Sequence, residues 1–355
     1  MENIWVGMSG GVDSSVAALL LKEQGARVIG VTLHLKCGLD AEQASQKDIE
    51  DARRVCKKLG IEHRVLEASD AFRRCVVDEF AAEYLAGRTP NPCVTCNRTI
   101  KFGVFLDAAI SSGAQGVATG HYARVAYDPQ SGRWQLFRAD SGKDQSYVLC
   151  GLTQQQLAHI RFPLYGMEKA QVRKMALRYG LPVADKDDSM EICFIPDQDH
   201  AGFIERYTGK VMRPGEFVDE QGRVLGQHKG IGRYTIGQRK GIGIAFGRPM
   251  YVVGLDAENN RVILGEEGRQ MASALIAGDA HFLSIAKPSI PIRVQAKIRY
   301  QALASPALLT PLDDGQFRVE FDALQRSVTP GQSVVFYDGD MVLGGAIIQN
   351  RVRNR

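Results

Sequence analysis

The chain has 355 residues, of which 45% are hydrophobic, 24% charged and 8% aromatic. This composition excludes a disordered, collagen-like or disulfide-scaffold protein and fits roughly two or three domains with a large buried core. No run reaches the roughly 20 apolar residues of a membrane span. Met1-Glu2-Asn3 leads straight into a strand, so no signal peptide and a cytoplasmic location are expected. Residues 1–205 carry 24 Lys+Arg against 26 Asp+Glu, whereas residues 206–355 carry 20 against 14. The basic C-terminal part suits a polyanionic partner. Seven cysteines, an odd number, favour buried thiols, metal ligands or catalysis over disulfides.

Ile4 to Met8 predicts a buried strand that ends in glycine and serine. Ser14 to Gln24 predicts a helix closed by Gly25, and Val28 to Leu33 a second strand. Ile49, Ala52, Cys56 and Leu59 share a helical face, and Glu62 to Leu66 form a third strand. Phe72, Val76, Phe80 and Tyr84 mark a further helix, as do Ile100, Val104, Phe105 and Ala108, followed by a strand at Gly116 to Thr119. This alternation predicts an α/β fold, a doubly wound parallel sheet whose ligands bind beyond the C-terminal strand ends. From about residue 206 glycines recur and short β-branched runs alternate with turns, as in Tyr251 to Leu255. Ser333 to Tyr337, Asp338-Gly339-Asp340, then Met341 to Ile348 read as a hairpin. The expected domains are an α/β N-terminal domain (1–205), a small mostly-β central domain (206–275) and a C-terminal β-barrel (276–355).

Met8-Ser9-Gly10-Gly11-Val12-Asp13-Ser14-Ser15 lies between the first strand and helix. Its glycines permit a tight turn, its hydroxyls can bind phosphate oxygens, and the helix N-terminus adds partial positive charge. No Gly-Lys-Ser/Thr follows, so this is not a Walker A loop, and Gly241, Gly243 and Gly247 have the wrong spacing for a dinucleotide fingerprint. Cys56, Cys75 and Cys150 sit in apolar surroundings and read as core, whereas Cys37 has no assignable role. Asn91-Pro92-Cys93-Val94-Thr95-Cys96-Asn97 places two thiols in a proline-broken loop. Asn97 is the expected helix cap there, and a thiol beside a helix N-terminus has a lowered pKa. Cys193 follows the acidic run at 185–188. His228 to Tyr234 and Gln238 to Gly241 interleave cations, glycines and an aromatic, a pattern suited to phosphate contact and base stacking in single-stranded RNA.

The Ser9–Ser14 loop resembles that of the PP-loop ATP pyrophosphatases (a HUP-like fold). Further motifs make the resemblance specific: Asn91 to Asn97, Ala118-Thr119-Gly120-His121-Tyr122, Lys143 to Tyr147, Glu191 to Phe194, and Tyr234 to Gly241. Together with the loop they run along essentially the whole chain and are similar to the tRNA-specific 2-thiouridylases of the MnmA type. That resemblance implies ATP-dependent insertion of sulfur at carbon 2 of the wobble uridine (position 34) of tRNA, through an adenylated uridine, with Mg²⁺ accompanying ATP. It implies ATP contacts from Gly7, Met8, Ser9, Gly10, Gly11, Val12, Asp13, Ser14, Leu33 and Gly120, with Leu33 standing where methionine is usual. Cys193 is the implied persulfide carrier and Cys96 the second thiol, the nucleophile that attacks the persulfide. Asn91, Pro92 and Cys93 are the implied contacts to the target base. Lys143, Asp144, Gln145, Arg299 and Tyr300 correspond to family tRNA contacts, and Arg239 and Lys240 are further tRNA-binding candidates from the basic segment. The implied partners are the tRNA anticodon loop and a sulfur-donor protein such as a cysteine desulfurase or sulfur relay. Cys93 replaces an aspartate common in the family, which opens a second route in which Cys93, Cys96 and Cys193 hold a [4Fe-4S] cluster. His121 reads equally as a nucleotide-positioning residue and as a structural one. Two other functions remain open: a PP-loop ligase or amidotransferase acting on another acceptor, and an RNA-binding protein with a vestigial nucleotide site.

Overall fold

The computed structural model describes residues 1–35, 39–187, 192–244 and 246–352, the side chains of 39–44 excepted. The chain opens with β1 (Asn3–Gly7), α1 (Val12–Glu23), β2 (Arg27–His34), α2 (Leu39–Leu59) and β3 (Glu62–Glu67). The apolar period of 72–84 gives a helix in three pieces: α3 (Ser69–Phe72), a π-helical turn (Arg73–Val77) and α4 (Asp78–Leu85). A second composite helix joins α5 (Pro92–Cys96), a π-helical stretch (Asn97–Val104) and α6 (Phe105–Ser111), before β4 (Gly116–Ala118). A hairpin of β5 (Ala123–Asp128) and β6 (Arg133–Arg138) follows, then α7 (Gln154–Ala158), β7 (Ile160–Arg161) and α8 (Lys169–Arg178). Strands β1, β2, β3, β4 and β7 form one parallel sheet in the order β3-β2-β1-β4-β7. The order reverses between β1 and β4, so the loops that follow these two strands flank the crevice where such folds bind ligands.

After α9 (His200–Thr208) come β8 (Gly215–Val218), β9 (Val224–His228), β10 (Met250–Asp256) and β11 (Arg261–Glu266), a four-stranded sheet ordered β10-β11-β8-β9. The last part contains β12 (Met271–Phe282), β13 (Ile292–Lys297), β14 (Ser305–Pro311), β15 (Phe317–Arg326), β16 (Ser333–Asp338) and β17 (Met341–Val352). Pairing of β12 with both β15 and β17 closes these six into an antiparallel barrel, which leaves no free edge among them. The expected divisions after residues 205 and 275 fall inside α9 and β12.

The β5–β6 hairpin belongs by sequence to the first part of the chain, yet β6 pairs with β17 of the barrel through Leu136↔Val342 and Phe137↔Met341. Leu136 is fully buried in a core that also holds Trp5 and Val117 of the parallel sheet and Val335, Tyr337 and Val342 of the barrel. The N-terminal sheet and the barrel are thereby held rigidly to one another by apolar packing. Short contacts near residue 90 add to this. Thr89 N–H donates to Pro330 O at 2.9 Å, and the Gln332 amide donates to the carbonyls of Thr89 and Pro90 at 2.9 and 3.1 Å. The hydroxyls of Thr89 and Thr235 meet at 3.4 Å, so all three parts of the chain grip the segment just before Asn91. Leu136→Ala should cost about 2–5 kcal/mol. Denaturant unfolding checks this, and the sheet and the barrel should lose stability together.

Candidate active site

The Met8–Gly11 loop leaves β1 with Met8 N–H still donating to Val31 O at 2.8 Å. Gly10 has φ +68°, and a Cβ there would lie 2.7 Å from the Asp48 carbonyl oxygen, so the turn requires glycine. The Ser14 hydroxyl accepts from Ser9 N–H and donates to Gly11 O, both at 3.2 Å, and Ser15 donates to Gly11 O at 2.7 Å. Helix α1 starts at Gly11 with no side-chain cap, which leaves its first backbone N–H groups to an anion. Gly120 follows β4 and packs directly on this loop: a Cβ there would come within 2.7 Å of the Asp13 carbonyl carbon and the Ser14 nitrogen. Gly7 ends β1, and Met8 and Val12 are buried beneath the loop. Leu33, half-buried near the end of β2, flanks the same strand ends.

Three groups from distant segments converge on Asp13. Lys169 donates to its carboxylate at 2.6 Å, Lys143 at 3.0 Å and the Tyr122 hydroxyl at 2.8 Å. Lys186 braces the loop from the other side, donating to Gly10 O at 3.1 Å and pairing with Asp48 at 2.8 Å and Asp51 at 2.9 Å. Burial works against the Asp51 charge, but hydrogen bonds from Lys186 and Arg54 prevail and hold its carboxyl below 3.8.

The cysteine segment departs from its sequence reading. The cap is Asn91, whose side chain accepts from Cys93 N–H at 3.2 Å, with Pro92 at the first helical position. Asn97 lies within the helix, and its amide donates to Val148 O at 3.0 Å. Cys96 is therefore at no helix N-terminus. It is buried, and that burial pushes its thiol up to about 11 rather than down. Cys93 is exposed in the first turn. Cys193 is also exposed, while the next residue, Phe194, anchors its segment against Phe72, Phe80 and Phe203 at centroid distances of 5.6, 5.3 and 5.3 Å. Desolvation of its sulfur pushes the Cys193 thiol up to about 12, with Cys96 and Cys93 adding like-charge penalties, although the residue as a whole is exposed. The three thiols thus share one electrostatic neighbourhood. They do not assemble as ligands, however: among the described residues no three His, Cys, Asp or Glu side chains are arranged to hold a metal ion. The second route's three cysteines are not assembled as a ligand set in this structure, where Cys96 is buried in a core cluster and Cys93 and Cys193 are exposed residues.

Of the remaining cysteines, Cys56 and Cys150 are buried, Cys75 is partly so, and Cys37 lies outside the described residues. His121 is buried, its ring nitrogen 2.7 Å from the Thr119 hydroxyl, and burial keeps it neutral by lowering its pKa well below the usual value.

The implied RNA contacts fall in two places. In the first, Asp144 fixes the loop after β6 by accepting from Ser146 N–H and hydroxyl at 3.0 Å, and the Tyr300 hydroxyl donates to Asp144 O at 3.3 Å. Gln145 bonds Tyr122 in both directions, N–H to O at 3.0 Å and side chain from N–H at 3.1 Å. Burial raises the Tyr300 phenol, and the charges of Asp144, Lys143 and Cys93 also act on it. Lys143 on Asp13, Gln145 on Tyr122 and Tyr300 on the Asp144 carbonyl thus tie this loop to the nucleotide side, and the Cys93 charge acts on Tyr300. Arg299 is half-buried beside it and donates to the carbonyls of Arg326 and Ser327. In the second place, Arg239 and Lys240 are exposed on a turn of the central part. Gly237 of the same segment packs on Ser327, where a Cβ would meet the hydroxyl at 1.9 Å.

Residues 2–197 match a family model described as the tRNA methyl transferase HUP domain, residues 201–266 its PRC-barrel domain, and residues 272–348 the aminomethyltransferase beta-barrel domain. The tRNA-specific 2-thiouridylase MnmA of Acetivibrio thermocellus is 52% identical over 356 residues, covering 98% of this chain and 99% of that one. The chain belongs to the MnmA family of tRNA-specific 2-thiouridylases. Its relative in Heliobacterium modesticaldum is 50% identical over 361 residues, covering 99% of this chain and 93% of that one. Among solved structures, the U34-tRNA thiolase NcsA from Methanococcus maripaludis with its [4Fe-4S] cluster spans 58% of this chain and 67% of that one. At 18% identity and a TM-score of 0.36, that likeness is too remote to carry a cluster over to this family member.

Three site residues had no sequence signal pointing to them. Lys169 and Lys186 stand in ordinary charged segments. Tyr122 was legible only as a letter in a motif, and the structure supplies its bond to Asp13. Lys143, expected as an RNA contact, has its ammonium on Asp13. Lys186→Met would leave Asp48 without this partner and the nearly buried Asp51 with Arg54 alone. At neutral pH it should cost about 1–2 kcal/mol, less than the roughly 3–5 kcal/mol of a fully buried broken pair, because Lys186 is partly exposed and Arg54 stays in place. A group held below its unfolded value stabilises above that value and loses the contribution as pH falls through its folded one. Denaturant titrations should therefore show the gap between variant and wild type closing below pH 3.8.

Proposed function

We propose that this chain is an ATP-dependent tRNA sulfurtransferase that converts the wobble uridine to 2-thiouridine by way of an adenylated uridine. The observation that carries this reading is the glycine-serine loop with its uncapped helix N-terminus and three donors on Asp13, in a chain whose Cys96 and Cys193 act on one another electrostatically. The uracil 2-oxygen attacks the α-phosphorus of ATP, and the bond to the β-phosphate breaks to release pyrophosphate. The free N–H groups of α1 and the Ser9 and Ser14 hydroxyls receive the leaving charge. Mg²⁺ accompanying ATP would supply charge neutralisation to the triphosphate, beside the Lys143 and Lys169 ammoniums that already hold Asp13.

Adenylation turns a poor leaving oxygen into AMP, so a sulfur nucleophile can replace it. Cys193, exposed, takes the sulfur as a persulfide from a donor protein such as a cysteine desulfurase or a sulfur relay. Cys96, beneath it, resolves the persulfide. Its high pKa keeps it a thiol at rest, which guards against premature exchange. Asn91, Pro92 and Cys93 meet the flipped base, and Lys143, Asp144, Gln145, Arg239, Lys240, Arg299 and Tyr300 meet the RNA. A ligase acting on an amine would need neither thiol. Among the described residues no helix is long and apolar enough to cross a membrane, and we place the activity in the cytoplasm, where tRNA is found.

Cys96→Ser and Cys193→Ser should each abolish 2-thiouridine formation while leaving tRNA-dependent pyrophosphate release and tRNA affinity within about twofold of wild type. Nucleoside analysis of the product tRNA checks the first outcome and a pyrophosphate assay the second. Normal thiolation by Cys193→Ser would overturn the mechanism.

A further inference from the structure

The helix that carries Cys93 and Cys96 does not remain α-helical. After α5 it passes through the π-helical stretch Asn97–Val104, where Phe105 N–H bonds back to Ile100 O, before α6 resumes. Such insertions are rare and recur at functional positions. This one has a rotational consequence. In an α-helix, residue i+5 lies about 140° around the axis from residue i. With i→i+5 bonding the fifth residue returns close to the face of the first. Lys101 is the fifth residue after Cys96, so the π-helical winding brings it round to the thiol's side.

The Lys101 charge acts on Cys96, on Cys193 and on His121, which come from three separate segments. His121 directly follows Gly120, which packs on the nucleotide loop, so one of the groups this charge acts on belongs to the nucleotide side and two are the thiols. It is half-buried, and among the described residues no carboxylate lies within ion-pair distance of it. A half-buried ammonium with no carboxylate beside it is open to an anion. An anion delivered by the reaction would satisfy it.

Resting on the sulfur-transfer reading above, we propose that Lys101 is a further catalytic residue of that step, its ammonium holding the sulfur as an anion between Cys193 and carbon 2 of the uridine. The Cys96 thiol passes its proton to the terminal sulfur of the Cys193 persulfide, and the thiolate so formed attacks the Cys193 Sγ. The bond to the terminal sulfur breaks, and its electron pair leaves with that sulfur as hydrosulfide, with a Cys96–Cys193 disulfide left behind. Hydrosulfide adds to carbon 2, the carbon–oxygen bond breaks with its electron pair going to AMP, and the sulfur proton passes to solvent. An external dithiol reduces the disulfide for the next cycle. A fixed cation facing charge that develops in this way contributes roughly 100-fold or more to a rate.

The test follows single-turnover thiolation and pyrophosphate release on the same samples of wild type, Lys101→Met and Lys101→Arg, supplied with tRNA, ATP, a persulfide donor and a dithiol. Lys101→Met should release pyrophosphate within about twofold of wild type yet thiolate about 100-fold more slowly, and Lys101→Arg should recover about tenfold of that loss. Should Lys101→Met fail to fold by thermal melting, Lys101→Gln takes its place. Wild-type thiolation by the neutral variant, or equal losses in pyrophosphate release and thiolation, would overturn the role of Lys101. Wild-type protein that releases pyrophosphate but forms no 2-thiouridine would instead overturn the sulfur-transfer reading itself.

Discussion

The carboxylate of Asp13 is the point on which the rest of the site depends. It sits in the first turn of α1, beside a loop whose backbone is committed to a tight glycine turn. The groups that hold it are Tyr122 after β4, Lys143 after β6 and Lys169 at the start of α8. A charged oxygen pair with three donors in near-ideal contact has little orientational freedom left. Whatever moves any of these segments is felt at the nucleotide loop. Two of the three donors, Lys143 and Lys169, are cations of the kind a triphosphate also attracts.

That arrangement relies on a second constraint, the fusion of the parallel sheet with the barrel. The β5–β6 hairpin leaves the first domain, pairs with β17 and returns as the loop bearing Lys143, Asp144 and Gln145. One continuous apolar core runs beneath both ends of this excursion. Tyr300 reaches the same loop from the barrel, while Thr235, Pro330 and Gln332 grip the chain just before Asn91. An RNA lying across these segments would touch elements of separate folding units whose relative positions are already determined, so little ordering cost remains to be met on binding.

Much of this was readable before any coordinates. The first two strands follow from continuous buried apolar runs, and the helix faces at 49–59 and 72–84 from apolar periodicity, since burial of one face is a local pattern. The nucleotide loop was legible because backbone geometry restricts its letters: Gly10 needs a positive φ, and Gly120 needs the absence of a side chain. The cysteine helix was misplaced because Asn97 looks like a cap in isolation. Asn91 with Pro92 is the stronger start signal, and it shifts Cys96 from an activated terminus to a buried interior. The hairpin at 123–138 carries strand residues and a turn, but nothing local says that its partner is a strand some 200 residues later.

The sequence by itself determined the elements, the family-specific letters and the pair of thiols set apart from the core cysteines. Its near-neighbour patterns govern backbone conformation over a few residues, and chemistry that relies on residue type is visible there. Tertiary structure alone decided which lysines meet Asp13, that Lys143 faces the nucleotide loop, that Cys96 is shielded while Cys193 is open, and that a π-helical turn brings Lys101 round toward them. Those are meetings between side chains far apart in the chain or rotated by an unusual winding. They follow from how whole elements pack, a property that no local window of residues contains.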